Sequence, residues 1–378
     1  MKAVIAIDSF KGSLSTLEAG TAAAEGIKKA IPDAVTEVFP LADGGEGTVF
    51  ALTCNTPELV QSVTVTGPEN TPVNACYGII NNGKTAVIEI AAAAGITYVP
   101  ESRRDPLLTT TYGVGEIISD AIKKGCRDFI IGLGGSATND GGIGMLSALG
   151  FEFLDSKNSP CIHGAKSLSD IKTINVNGAL SELKNCTFRI ASDVKNTLCG
   201  EFGCSAVFGP QKGATPDTVA LMDGWLCAYA GVVSKTLGKD CRDLEGAGAA
   251  GGLGFAFIAF LNATVTPGAE LVLSTLDIEN SIKNCDVVVT GEGRLDSQTC
   301  MGKAPAGVAA IAKKYSKPVI AFSGCVSDDA GVCNNHGIDA FFPILKRPCS
   351  LAEAMDKTIA YKNLSDTVQQ AFRLYNIK

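Results

Sequence analysis

The feature that most constrains this chain is a pattern present at both of its ends: a short apolar run, a loop of glycine and charged residues, then a helix-period stretch. Near the start, Lys2 to Ile7 reads as a strand and Asp8 to Ser13 as a loop, while Leu17, Ala24, Ile27 and Lys28 trace a helix stopped by Pro32. Thr36 to Leu41 supplies a second strand, followed by the loop ADGGEG and an apolar helix near Thr48 to Cys54. After Asn284 the rhythm returns, with strands Asp286 to Thr290, Pro318 to Ser323 and Ala340 to Pro343, a helix Gly302 to Lys314, and a last helix from Leu351 towards Phe372. Strands alternating with helices predict a parallel sheet covered on both faces.

The middle of the chain reads differently. Short alternating runs, SVTVTG and NACYGIINNGKTAVIEIA, meet at Asn82-Gly83, a hairpin signal because both residues tolerate positive φ. Strand Asp128 to Gly132, helix Gly142 to Leu149, strand Thr187 to Ser192 and the tract GAGAAGGLG follow. The expected fold class is α/β with two domains: a doubly wound parallel sheet formed by both termini (residues 1–66 plus 285–378) and a larger inserted mixed α/β domain (67–284). The active site is expected in the cleft between them.

Composition narrows the function. At 378 residues the chain is long for one domain, and 46% hydrophobic against 19% charged residues supports buried cores. A formal net charge of −7 argues against a nucleic-acid surface, which needs a basic stripe to replace phosphate counterions. The start MKAVIAIDSF runs straight into a strand with no leader pattern, and no run of about twenty apolar residues follows, so a cytoplasmic protein with small-molecule partners and no membrane is expected. The 14 cysteines show no C-x-x-C spacing and read as small buried hydrophobes. The two histidines, His163 and His336, sit in loop-like surroundings and read as surface residues.

Five loops carry the chemistry. DSFKGS places Asp8, Ser9, Lys11 and Ser13 at the carboxyl end of the first strand, where open α/β sheets bind ligands, although Asp8 or Ser13 could simply cap the next helix. In ADGGEGT, Asp43 and Glu46 lie three apart among glycines, and such hard oxygen ligands suit Mg2+. In FIIGLGGSATNDGGIGML, an apolar strand meets a helix through a glycine loop whose amides form an anion cradle, fit for a nucleotide triphosphate; the candidates are Gly134, Gly135, Ser136, Ala137, Thr138, Asn139 and Asp140. Gly132-x-Gly134-x-x-Ala137 with Asp155 also fits a loose dinucleotide fingerprint, which keeps an NAD-dependent hydroxy-acid dehydrogenase as a rival. Ser192-Asp193 and FGPQKG offer Asp193 to take a substrate hydroxyl's proton and Lys212 to offset phosphoryl charge. TGEGRLDSQT crowds Glu292, Arg294 and Asp296 after an apolar strand, with Arg294 the natural fork for a carboxylate. Gly302-Lys303 lacks the rest of a Walker loop, and GAGAAGGLG reads as tight helix packing or a mobile loop. Together the loops point to phosphoryl transfer to a small anion, with a non-catalytic anion-binding protein as a further alternative.

With DSFKGSLS, LADGGEGT, EIAAAAGI, TTTYGVGE, GLGGSATNDGG, FGPQKGA, GAGAAGGLGFA, TGEGRLDSQT with GKAPAGVA, and GIDAFFPI in this order, the chain resembles the type I glycerate kinase family over nearly its whole length. The resemblance implies a flavodoxin-like domain from both termini, a larger inserted domain, and Mg2+ with ATP used to phosphorylate D-glycerate. It implies 2-phosphoglycerate as product, with 3-phosphoglycerate as the alternative; a homodimer is compatible. On this reading the Gly134 to Thr138 amides hold ATP phosphates beside Asn139 and Asp140, Asp193 is the base, and Lys212 and Lys11 neutralise charge. Arg294 with Asp8, Ser9 and Glu292 holds glycerate, and Mg2+ sits near Asp43, Glu46 or Asp296. The family reads Asn-Pro-Leu-Cys-Gly after its Ser-Asp-Val, where this chain has Asn196-Thr197-Leu198-Cys199-Gly200; the missing proline is expected to change that loop's rigidity.

Overall fold

The computed structural model describes residues 1–54, 56–161, 164–300 and 302–377. His163 lies outside them; His336 is exposed, as expected. The strands, in chain order, are β1 (Lys2–Ile7), β2 (Val35–Val38), β3 (Val60–Thr66), β4 (Pro72–Ile80), β5 (Thr85–Glu89), β6 (Asp128–Gly132), β7 (Glu152–Leu154), β8 (Thr173–Asn175), β9 (Thr187–Ala191), β10 (Thr264–Thr266), β11 (Val287–Leu295), β12 (Val319–Val326) and β13 (Ala340–Pro343). They fall into two units: Met1–Asp43, Phe50–Asn55 and Ala269–Lys378 form the first, Gly44–Val49 and Thr56–Gly268 the second.

In the first unit the order β13-β12-β11-β1-β2 is parallel throughout, with Ala6 beside Thr290 and Thr290 beside Ala321. This is the flavodoxin order, whose direction of winding reverses between β1 and β11. Alternation sorts the strand residues: Ala3, Ile5, Ile7, Val287 and Val289 face a core with helices Thr16–Ala30 and Lys357–Tyr375, while Val4, Ala6 and Val288 face one with Val308, Ala309 and Ala312. Helix Thr16–Ala30 opens on a Ser15/Glu18 capping box and ends at Ile31, which Pro32 holds extended. The last helix is not one element. It is split into Leu351–Met355 and Lys357–Tyr375 because Asp356 sits extended (φ −60, ψ 123) and its side chain accepts the Ile359 N–H.

The second unit holds a mixed sheet, β10-β9-β6-β5-β4-β3, parallel from β10 to β5 and antiparallel from β5 to β3, plus the pair β7-β8. The β4–β5 turn forms at the expected place, with Asn81, Asn82 and Gly83 all at positive φ. Phe129, Phe153, Tyr229, Phe255 and Phe257 fill its core.

The unit boundaries differ from the expected 1–66 plus 285–378 and 67–284. β3 pairs with β4 and so belongs with the mixed sheet. Ala269, Leu273, Ile278 and Ile282 pack with Val288 and so belong with the first sheet. Of the cysteines, Cys126, Cys161, Cys204, Cys241, Cys285 and Cys333 are buried as expected, whereas Cys54, Cys76, Cys227 and Cys325 are exposed. No helix among the described residues is long and apolar enough to cross a membrane.

Candidate active site

The parallel strands of the second unit end in a set of loops on one edge of its sheet. Loop Gly44–Val49 lies across those ends: a Cβ on Gly132 would come within 2.5 Å of the Gly44 carbonyl oxygen, so only glycine lets the two backbones meet. Glu89, the last residue of β5, holds this loop by accepting the Val49 N–H at 2.8 Å. Burial pushes its carboxyl above the usual range against the pull of the Val49 and Gly47 amides, and the Glu46 charge adds to the rise. Sequence reading missed Glu89, although a lone acid closing the apolar run TAVI was its signal.

After β6 the chain runs through Gly134 and Gly135, both exposed, into Ser136, Thr138, Asn139 and Asp140, all buried. The Ala137 amide donates to the Ala94 carbonyl (2.8 Å) and so does not serve the expected cradle. The amides of Gly134, Gly135, Ser136 and Thr138 donate to no described residue. Lys212, 2% exposed, reaches the loop from beneath, its Nζ donating to Ser136 Oγ (2.8 Å) and the Thr138 carbonyl (2.6 Å). Burial lowers its pKa to about 8, with the neighbouring Cys204 and Asp140 side chains acting in the opposite direction. Asp140 accepts from the Thr111 N–H (2.9 Å), Thr111 Oγ1 (2.9 Å), the Gly142 N–H (3.1 Å) and the Gly144 N–H (3.4 Å), which occupies its acceptor capacity in bracing the loop. Its carboxyl is raised by burial despite those donors. Asn139 Nδ2 donates to Ser205 Oγ (2.9 Å), while Asn139 Oδ1 and Thr138 Oγ1 are buried without a partner among the described residues.

Neighbouring segments support the same loop. In the tract GAGAAGGLG, a Cβ on Gly251 would fall 2.1 Å from the Thr138 carbonyl, so the tract serves tight packing. Asp193, exposed after β9, accepts the Gly268 N–H at 3.1 Å. The Thr197 segment is tied down without a proline: the Asn196 carbonyl accepts the Gly248 N–H (2.9 Å) and the Leu198 N–H donates to Arg242 O (2.9 Å).

The dinucleotide reading fails on geometry. The helix after β6 begins only at Ile143, so no helix start faces Gly132 and Gly134, and Asp155 closes its own turn by accepting the Lys157 and Ser159 amides.

In the first unit the charged set gathers where the winding reverses. Asp8 follows β1, donates its N–H to Gly291 O of the adjoining strand (2.9 Å), and accepts the Ser9 N–H (2.6 Å). Burial raises its carboxyl; the Ser9 amide opposes this and Asp43 reinforces it, with smaller effects from Lys11 and Glu292. Lys11 pairs with Asp43 at 3.1 Å, which raises its own pKa. On β11, Glu292 is 8% exposed and accepts from Thr299 Oγ1 (2.6 Å) and Lys303 Nζ (3.2 Å). Arg294, largely exposed, meets Asp296 at 3.4 Å, and Lys303 lies 3.7 Å from the same carboxylate. In the sequence Lys303 stands in an incomplete Walker pattern and in the motif GKAPAGVA, neither of which marks it as the partner of Glu292 and Asp296.

The structure therefore brings Asp8, Ser9, Lys11, Asp43, Glu292, Arg294 and Asp296 together in one unit, and Gly134 to Asp140 with Lys212 in the other. The expected metal trio is divided, Asp43 and Asp296 belonging to the first unit and Glu46 to the second. Among the described residues no three His, Cys, Asp or Glu side chains form a metal cage. Asp43 and Asp296 in the first unit and Glu46 in the second each offer carboxylate oxygens, the ligand type Mg2+ takes one or two at a time, with phosphates and water completing its shell.

The chain's relatives agree with one another. The sequence profile of the glycerate kinase family matches residues 3–376. The chain is 46% identical to a glycerate kinase of Haemophilus influenzae over all of both chains, and 48% identical to a glycerate 2-kinase of Escherichia coli over 96% of this chain and 95% of that one. A crystal structure of a putative glycerate kinase 2 from Salmonella typhimurium superposes with a TM-score of 0.90 at 44% identity, covering 99% of this chain and 98% of that one. With its fold, nearly half of its sequence and its length shared with these relatives, this chain is an enzyme, a kinase, and belongs to the glycerate kinase family.

Proposed function

We propose that the enzyme transfers the γ-phosphoryl group of ATP, with Mg2+, to the 2-hydroxyl of D-glycerate, giving 2-phosphoglycerate and ADP. The observation that carries this reading is the exposed turn Gly134–Gly135, with its open amides braced from below by a buried lysine, in a chain of this family. Open amides on a rigid turn favour phosphate oxygens, and the name of the Escherichia coli relative, a glycerate 2-kinase, favours the 2-position.

In this mechanism the Gly134, Gly135, Ser136 and Thr138 amides orient the phosphates, and Lys212 keeps positive charge beneath them. Asp193 accepts the proton of the attacking hydroxyl. Arg294 takes the glycerate carboxylate, and Asp8, Ser9 and Glu292 hold its hydroxyls; Lys11 neutralises the moving phosphoryl. Asp43, Asp296 and Glu46 are the carboxylates that would hold Mg2+. When bound, the ion would supply positive charge to neutralise the phosphates.

The test is turnover of D-glycerate with ATP, with and without Mg2+, the product resolved by phosphorus NMR. A 2-phosphoglycerate resonance that needs Mg2+ is expected; a 3-phosphoglycerate resonance would refute the regiochemistry alone. Asp193→Asn should lower kcat by about a hundredfold or more, and an unchanged kcat would remove Asp193 as the base.

A further inference from the structure

Arg104 is a cation the mechanism above does not use, and its surroundings set it apart. Its carbonyl packs against Gly213, where a Cβ would come within 2.2 Å, and Gly213 directly follows the lysine that grips Ser136 and Thr138. Arg104 Nη1 donates to Gln211 O (3.3 Å) on that same turn. Its Nε is buried and has no hydrogen-bond partner among the described residues, and no described carboxylate pairs with the guanidinium. The adjacent Arg103 differs in every respect: it is exposed and donates to Glu69 at 2.9 Å. Natural folds seldom leave a buried guanidinium N–H unmet, because its desolvation goes uncompensated. Two further buried polar atoms without a partner among the described residues, Thr138 Oγ1 and Asn139 Oδ1, belong to the loop that Lys212 holds.

We infer that Arg104 is a second cation of the phosphate site, its guanidinium binding a phosphate oxygen of the nucleotide held by the Gly134 to Thr138 loop. The inference rests on the phosphoryl-transfer reading of that loop. A guanidinium suits this role because it stays charged where burial weakens an amine, and because its planar fork meets phosphate oxygens in pairs. It stands next to a lysine whose pKa burial lowers to about 8.

The test is calorimetric titration of the full chain with Mg-ADP and, separately, with inorganic tripolyphosphate, for wild type, Arg104→Ala, Arg104→Lys and Arg103→Ala, alongside KM for each substrate. Arg104→Ala should weaken both probes by about tenfold or more with glycerate KM unchanged, Arg104→Lys should fall between it and wild type, and Arg103→Ala should match wild type. Equal affinity of Arg104→Ala and wild type for both probes, or a loss confined to glycerate KM, overturns the assignment. Should Arg104→Ala not fold, Arg104→Lys decides: at an unchanged melting temperature it should still bind tripolyphosphate more weakly than wild type, and equal binding overturns the inference. Wild type that binds tripolyphosphate but leaves glycerate unphosphorylated would sink the substrate proposal and leave Arg104 in place.

Discussion

Lys212 is the residue whose chemistry the environment changes most usefully. Burial lowers its pKa to about 8, so the folded protein sheds that proton earlier than the unfolded chain does. Below pH 8 both states carry the proton and the fold bears the cost of a buried charge; as pH rises from about 8 towards the ordinary lysine value, that cost is relieved and stability increases. In the proposed mechanism activity should move the other way, since a neutral amine would no longer offset phosphoryl charge. We predict that kcat/KM falls above about pH 8 while the melting temperature does not fall with it. Lys212→Met should lower kcat/KM by about a hundredfold and abolish that alkaline limb; a limb that persists in the variant would assign it to another group. The sequence places Lys212 in a glycine loop near an acid, and the fold keeps it there. What the sequence does not contain is the direction of approach: only the fold shows the amine entering from beneath to hold Ser136 and Thr138, with Asp140 turned inward on Thr111.

Elements were legible where their signals were local and continuous. The strands at Lys2–Ile7, Asp128–Gly132 and Ala340–Pro343 are legible to the residue, since each is an apolar run marked at its ends by a charge, a glycine or a proline. Boundaries failed where a pairing partner or a single cap decided them. β3 carries the same alternation whichever sheet it joins, so only its pairing with β4 assigns it. The C-terminal helix looked continuous because Asp356 is compatible with helix, yet its carboxylate caps Ile359 and starts a new one. Asp356→Ala should therefore cost about 1 kcal/mol in chemical denaturation at an unchanged slope. A gain in stability, with more helix by circular dichroism, would mean that the two helices had fused and that the break contributes nothing to the native packing.

At the scale of the molecule, the two units are built around separate sets of buried residues. Phe372, Leu364 and Val368 pack with Ile5, Val289 and Phe322, and none of these joins the cluster of Phe129, Phe153, Tyr229 and Phe257. A doubly wound sheet closed by a C-terminal helix depends on the last residues of the chain as much as on the first, whereas the inserted unit draws its core from the middle alone. Phe372, fully buried on the helix that packs against Thr16–Ala30, lets this be tested without touching any candidate site residue. Phe372→Ala should remove about 3–5 kcal/mol from the first unit. In scanning calorimetry the endotherm should broaden or split, because one unit melts early while the other keeps its own transition. The same variant should keep its affinity for tripolyphosphate at temperatures between the two transitions, since the loop proposed to bind it lies in the second unit, while turnover of glycerate is lost there. A single endotherm displaced as a whole, with binding and turnover lost together, would show that the two cores melt as one cooperative body.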